Sequence, residues 1–398
     1  MRWLYADPNV PQERQYVQQT VANIDAWWRE FVAKNGDIDA LIHQKSRWDL
    51  PGWMQQWLQA IHPNLMWEFG GAVRGKGHRL VITPEASRWL RPLVSTLLER
   101  APSIEGWEFY PHRLAEIVDD ALRTVQARVG VDMTGATVEV IPREQRVHLR
   151  YTFDACRSEE DEDAVHAAFV ATESLLGEAV LDQWVGAIEV APVPKRFFGF
   201  GRKKPDEAMS LDELAATVAS CIEAFHSMRP DAPCIDRDDD WTMWELKPAG
   251  ADDYPRQSDL FVGKSMFTAL WMATRGPTAF FSDSFSRHGE TFCYLKIDGS
   301  EGVDAESFED KGEIEDALDS PLRDARAGCF IGGGTGLRYS YIDLALLDVD
   351  RGIEILREVL RAGNITRRAW LQFYDSAFDA EWVGVWPDSP PPPMPERD

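Results

Sequence analysis

Four glycines and a threonine in five consecutive positions, Gly332-Gly333-Gly334-Thr335-Gly336, are the first residues whose type and spacing suggest chemistry. A Gly-rich turn between a strand and a helix N-terminus lets backbone N–H groups and the helix dipole converge on a phosphate. Here the residues that follow, 338–347, read as another strand, and both the Walker lysine and the GxGxxG spacing are missing. The run therefore reads as a bulge or close-approach turn of a hairpin. Arg338 and Tyr341, next to Gly334 and Thr335, are the residues that could still line a small anion pocket.

A second candidate is Arg287-His288-Gly289-Glu290. A histidine beside a glutamate can act as general base or ligand, but this one falls at a predicted hairpin tip, where a polar turn is the simpler reading. A third is the acid set Asp236, Asp238, Asp239 and Asp240, whose order lacks the glycine and twelfth-position glutamate of a calcium loop. The eight histidines, among them His43, His78, His112 and His288, form no HxH, HExxH or His–Cys pair at metal spacing, and no GxSxG elbow occurs. No cofactor and no metal are expected from these patterns. The five cysteines (Cys156, Cys221, Cys234, Cys293 and Cys329) are scattered without a CxxC, as in a chain of reduced thiols.

The 66 acidic and 42 basic residues leave a net charge of −24. Such a field disfavours nucleic acid and anionic membrane as partners and favours a basic protein. No run of apolar residues is long enough for a transmembrane helix, and the N-terminus has no apolar core of a signal peptide, so a cytoplasmic location is expected.

The elements that must position these residues follow from periodicity. Residues 12–33 carry Ile24, Trp27, Trp28 and Phe31 at helical spacing and stop at Asn35-Gly36; a second tryptophan-bearing helix follows Pro51. Residues 66–83 read as a hairpin, and Thr83-Pro84 as the start of a helix. Strand 106–113, helix 114–129, hairpin 137–153, one long helix over 160–184 and strand 186–192 come next. The acidic run 159–163 suits the first turn of that long helix. Ser210 and Glu213 form a capping box that opens a helix to about Ser227. Beyond it are expected a strand at 241–248, a helix at 259–274, a hairpin of 278–285 with 290–297, and a helix within 301–324. Strands 326–332 and 338–347 then lead to a helix over 349–362 capped by Asp348, a strand at 369–375 and an edge strand at 381–386.

The motifs MWEFGG, LVITPE, LRPLV and GWEFYPHR within 66–113 resemble those of uncharacterised bacterial proteins of domain-of-unknown-function type. The resemblance implies a cytoplasmic bacterial accessory protein and brings no active site with it.

The fold class expected is α+β. A Trp-rich helical segment (1–62) precedes an α+β domain (63–192), a basic linker (193–207, with Lys195, Arg196, Arg202, Lys203 and Lys204), a second α+β domain (208–386) and a Pro-rich tail (387–398). Both domains repeat a strand–strand–helix–strand unit, and the βαββαβ order near the C-terminus is that of a ferredoxin-like unit. The function expected is a non-catalytic, acidic protein of accessory or immunity type that binds a basic protein. The alternative is an enzyme or small-molecule binder with a cleft between the two domains, using Arg338, Tyr341, Arg287 and His288.

Overall fold

Buried Ile24, Trp27, Trp28 and Phe31 wind residues Pro11–Ile42 into one helix, α1, which does not stop at Asn35-Gly36. Ile38, seven residues after Phe31, extends the buried stripe past the glycine. A helical glycine costs only about 1 kcal/mol relative to alanine, less than burying an isoleucine returns. The computed structural model describes residues 1–193, 208–250, 257–276, 278–299 and 308–394. All but the first residue of the basic linker, 193–207, lies outside them.

The chain is mixed α+β and divides into two compact units: Val17–Met228, and a second made of Met1–Tyr16 with Arg229–Asp398. In the first, α1 is followed by α2 (Leu50–Trp57), capped by Asp49, which accepts from the Gly52 N–H at 2.9 Å. Strands β1 (Met66–Gly71) and β2 (His78–Thr83) form the predicted hairpin. Helix α3 (Arg91–Glu99) begins seven residues later than Pro84. The Thr83 hydroxyl does accept from the Glu85 N–H, but Glu85 has φ +48°, which turns the chain out of helical geometry. Strand β3 (Trp107–Tyr110) joins β2 in parallel, and Phe31 and Trp28 of α1 pack edge-on against Trp107 and Phe109.

Helix α4 (Val118–Val129) precedes β4 (Thr137–Arg143) and β5 (Arg146–Phe153). The single helix expected over 160–184 is two, α5 (Glu162–Leu176) and α6 (Glu178–Trp184), bent by 112° at Gly177. Asp161 caps α5, so the acidic run does serve its first turn. Strand β6 (Val185–Pro192), β7 (Met209–Ser210) and α7 (Leu211–Met228) complete the unit, whose second sheet has the order β6-β5-β4-β7. The Glu213 carboxylate accepts from the Ser210 N–H at 3.1 Å, one half of the expected capping box. Leu214, Val218 and Phe225 of α7 share one core with Val138, Tyr151 and Trp184. That packing draws α7 into the first unit, although it follows the linker expected to separate two domains.

The second unit holds one seven-stranded sheet of order β14-β13-β10-β12-β11-β9-β8. Its elements are β8 (Thr242–Glu245), β9 (Leu260–Ser265), α8 (Thr268–Thr274), β10 (Thr291–Asp298), α9 (Lys311–Asp324), β11 (Gly328–Gly336), β12 (Tyr339–Leu346), α10 (Val349–Ala362), β13 (Ala369–Phe373) and β14 (Trp382–Gly384). The helix expected at 259–274 is thus a strand followed by a short helix, because residues 260–265 pair with β11 on one side and β8 on the other. The strand expected at 278–285 is instead a loop with a 3₁₀ turn at Ser282–Ser284, held by Asp375, which accepts from the Ser282 N–H at 2.7 Å. Asp348 caps α10 as expected.

One face of this sheet is aliphatic: Leu295, Ile297, Leu344 and Leu371 meet Leu318 of α9 and Leu356 of α10. The other is aromatic and polar, with Tyr294, Tyr339, Tyr341, Trp370 and Tyr374. The first residues of the chain close the β14 margin. Arg2 donates to the Trp382 carbonyl (3.0 Å), Glu381 accepts from the Trp3 and Tyr5 N–H groups (2.7 and 3.0 Å), and Tyr5 stacks on Phe373 at 5.1 Å.

Candidate functional site

The glycine run is not a turn. Gly332–Gly336 is the second half of β11, between β12 and β9, after a bulge near Phe330. Gly333 has φ +143°, and a Cβ there would meet the Tyr341 carbonyl; at Gly332 and Gly334 it would meet carbonyls of β9. The glycines let three backbones approach, and the tight turn is Leu337-Arg338.

Around that turn the structure does bring Arg338, Tyr341, Gly334 and Thr335 together, but on carboxylates. Buried Asp259 accepts from the Arg338 and Tyr339 N–H groups (3.1 and 2.9 Å) and from the Tyr341 hydroxyl (2.7 Å). The Arg338 guanidinium lies on Asp298, which also takes Arg368. An anion would meet two carboxylates there, so the described residues form no anion pocket. Arg287 and His288 lie beyond the opposite end of β10 from Asp298. Arg287 donates to the Arg229 carbonyl (2.8 Å) and pairs with Asp231 (3.1 Å), and His288 is held by its N–H on Ser286 (3.1 Å). The two predicted pairs therefore share no site, and all of them belong to one unit.

The same polar face is sealed further along. Buried Asp343 accepts from the Tyr374 hydroxyl at 2.7 Å, which accepts in turn from the Gln257 amide at 2.6 Å. Burial pushes the Asp343 carboxyl up to about 7. In the first unit, Arg91 likewise binds Glu178 (2.7 Å) and Asp182 (2.9 Å); burial would raise the Glu178 carboxyl, but Arg91 and its hydrogen bonds hold it below the usual range. These groups answer one another within their own unit.

Among the described residues, two places stay open at the surface. The first is the sheet margin at β8, which among the described residues has no strand on its outer side. Trp244 stacks on Trp271 at 5.0 Å, which fixes the strand, and Gly263 opposite leaves room for that ring. Alternation then puts Met243 (69% exposed) and Trp241 (47%, one side stacked on Phe330 at 5.3 Å) on the opposite face, while Phe261 on β9 is 42% exposed. Exposed Asp238, Asp240 and Glu245 flank them. Asp236 and Asp239 of the same acid set are occupied by Arg326 and Arg237.

The second open place lies where α1 ends. Asp39 and His43 are four residues apart, and His78 opens β2. The His78 Nε2 lies 2.7 Å from Asp39 Oδ1, and the His43 Nδ1 lies 3.3 Å from the same oxygen and 2.9 Å from the Asp39 carbonyl. One ligand atom from each residue falls within 4.8 Å of the other two. The hydrogen bond from His78 holds the Asp39 carboxyl below its usual range. Reading the sequence for histidine pairs misses this group, since ending the helix at Gly36 removes Asp39 and His43 from a common helical face. The signal that finds it is the D-x-x-x-H spacing, once Ile38 is allowed to carry the helix onward.

Compared with family models, curated proteins and solved structures, the chain finds no match in any of the three. No single helix among the described residues is long and apolar enough to cross a membrane.

Proposed function

We propose that this chain is a non-catalytic, acidic protein of accessory or immunity type, cytoplasmic and bacterial, that binds a basic protein through the free margin at β8. The observation that carries the reading is the outer side of β8, unpaired among the described residues, with Trp241 and Met243 exposed and Asp238, Asp240 and Glu245 beside them. An edge strand offers a row of backbone donors and acceptors to an incoming extended segment. Its side chains choose the segment: apolar residues to cover Trp241 and Met243, and lysine or arginine to meet the acids. The net charge of −24 steers such a partner and makes its association salt-dependent.

The fold reading that accompanies this is a ferredoxin-like unit. The βαββαβ stretch from β10 to β13 with the order β13-β10-β12-β11 supports it, β9 and β8 extending one side and β14 the other.

Selection from a library of extended peptides that alternate lysine or arginine with apolar residues tests the proposal. Binders should weaken as salt rises and should be lost with Met243→Asp and Trp241→Asp. Binders indifferent to both salt and these substitutions would reject it.

A further inference from the structure

The group at the end of α1 has the composition of a metal site rather than of a polar turn. We propose that Asp39, His43 and His78 bind one divalent transition-metal ion of the zinc class, through Asp39 Oδ1, His43 Nδ1 and His78 Nε2.

Geometry comes first. Donors about 2.0–2.1 Å from a common tetrahedral ion stand roughly 3.4 Å apart. Asp39 Oδ1 already lies 2.7 Å from His78 Nε2 and 3.3 Å from His43 Nδ1, and the whole set fits within 4.8 Å. Small side-chain rotations of Asp39 and His43, both about half exposed, are enough to admit an ion. Each imidazole then coordinates in its neutral form through the nitrogen that now faces Asp39.

Rigidity comes second. The His78 N–H donates to the Gly106 carbonyl at 2.8 Å, and β2 is paired on both sides, by β1 and β3. Gly77 has φ +128°, and a Cβ there would strike the Gly106 backbone, so this approach of chain to chain requires glycine. The Trp107 ring, 5.1 Å from the His78 ring, fixes its orientation. One ligand is thus held by a sheet, while Asp39 sits in the last turn of α1 and His43 just past its end, its N–H on the Asp39 carbonyl at 3.0 Å.

The donor set decides the ion. Magnesium and calcium take oxygen ligands and make little use of imidazole. Two imidazoles and a carboxylate suit zinc, cobalt, nickel, copper or ferrous iron. Three protein ligands leave a further position to water, and the exposure of Asp39 and His43 gives it access to solvent.

Cobalt(II) titration of the untagged, chelator-stripped full chain, followed by the visible d–d absorption of the bound ion, tests this directly. The result expected is saturable binding of about one ion per chain, reversed by zinc and not by magnesium. His43→Ala, Asp39→Asn and His78→Asn should each weaken it roughly a hundredfold, as loss of a ligand exceeds loss of an outer-shell partner. His166→Ala, an exposed histidine on α5, should leave it unchanged. Circular dichroism reports whether each variant folds. Should His78→Asn fail to fold, His43→Ala at its exposed position carries the test alone. No saturable cobalt spectrum, or affinity retained within a few-fold in His43→Ala, would overturn the proposal, as would an equal loss in His166→Ala.

Discussion

The polar cluster on the seven-stranded sheet and the trio at the end of α1 use similar side chains to opposite ends. Around Asp259 and Asp343, each carboxylate faces donors from its own unit: backbone N–H groups, tyrosine hydroxyls, an amide. At Asp39 the neighbours are two imidazoles whose nitrogens crowd one oxygen, and half of the carboxylate and of one ring is left to water. Buried polar atoms must be answered inside the fold. Groups that converge at a surface, as the two imidazoles do on Asp39, can exchange their hydrogen bonds with water. Abundance of polar residues therefore says little about function, whereas convergence with access says more.

The sharpest way to break the contrast is at Gly333. A valine there combines a strained backbone with a collision against the Tyr341 carbonyl, and should destabilise the fold by about 3 kcal/mol or more in urea denaturation. Next, Asp259→Ala strips the acceptor from the buried Tyr339 N–H, the partly buried Arg338 N–H and the Tyr341 hydroxyl. A loss of about 2–3 kcal/mol is expected from the same measurement, with no change in cobalt binding.

Asp343 gives a subtler mark. Its folded value of about 7 lies above that of an unfolded aspartate, so the folded state holds the proton more tightly. The stability this contributes is complete below about pH 4 and disappears as pH rises through 7. Tyr374 and Gln257 contact it, and Lys311, Arg275 and Glu315 act on it from further off. Asp343→Asn should flatten the stability profile between about pH 4 and 7 and stabilise the protein at pH 8 by on the order of 1–3 kcal/mol. An unchanged slope in that window would show that Asp343 is ionised in the fold. The smallest effect belongs to the trio: His43→Ala should leave the melting temperature of the metal-free protein within about 2 °C. A larger drop would make that group part of the scaffold and erase the contrast.

Local rules read much of this fold from the sequence. Asp348 at the start of α10, the acid run before α5, the hairpins at 66–83 and 137–153, and the alternation in β10 and β12 all depend on neighbours within a few residues. What escaped depends on partners far along the chain. Residues 260–265 carry no strand signal of their own strength; they are a strand because β11 lies beside them. Gly332–Gly336 looks like a turn until β9 and β12 supply the carbonyls that exclude a Cβ. The candidate metal site was illegible for a related reason. Asp39 and His43 are close in sequence, but His78 meets them only once α1 and β2 are packed, and a single glycine misread as a helix stop hides even the first pair.

The opening sixteen residues belong to the unit that Arg229–Asp398 completes. During synthesis they leave the ribosome before Val17–Met228, yet Arg2, Trp3 and Tyr5 meet their partners Trp382, Glu381 and Phe373 only when β13 and β14 have been made. At cellular rates of elongation that interval is on the order of tens of seconds. The intervening unit, Val17–Met228, can fold in that time, so the nascent chain carries a finished unit while the sequence before it still awaits its other half.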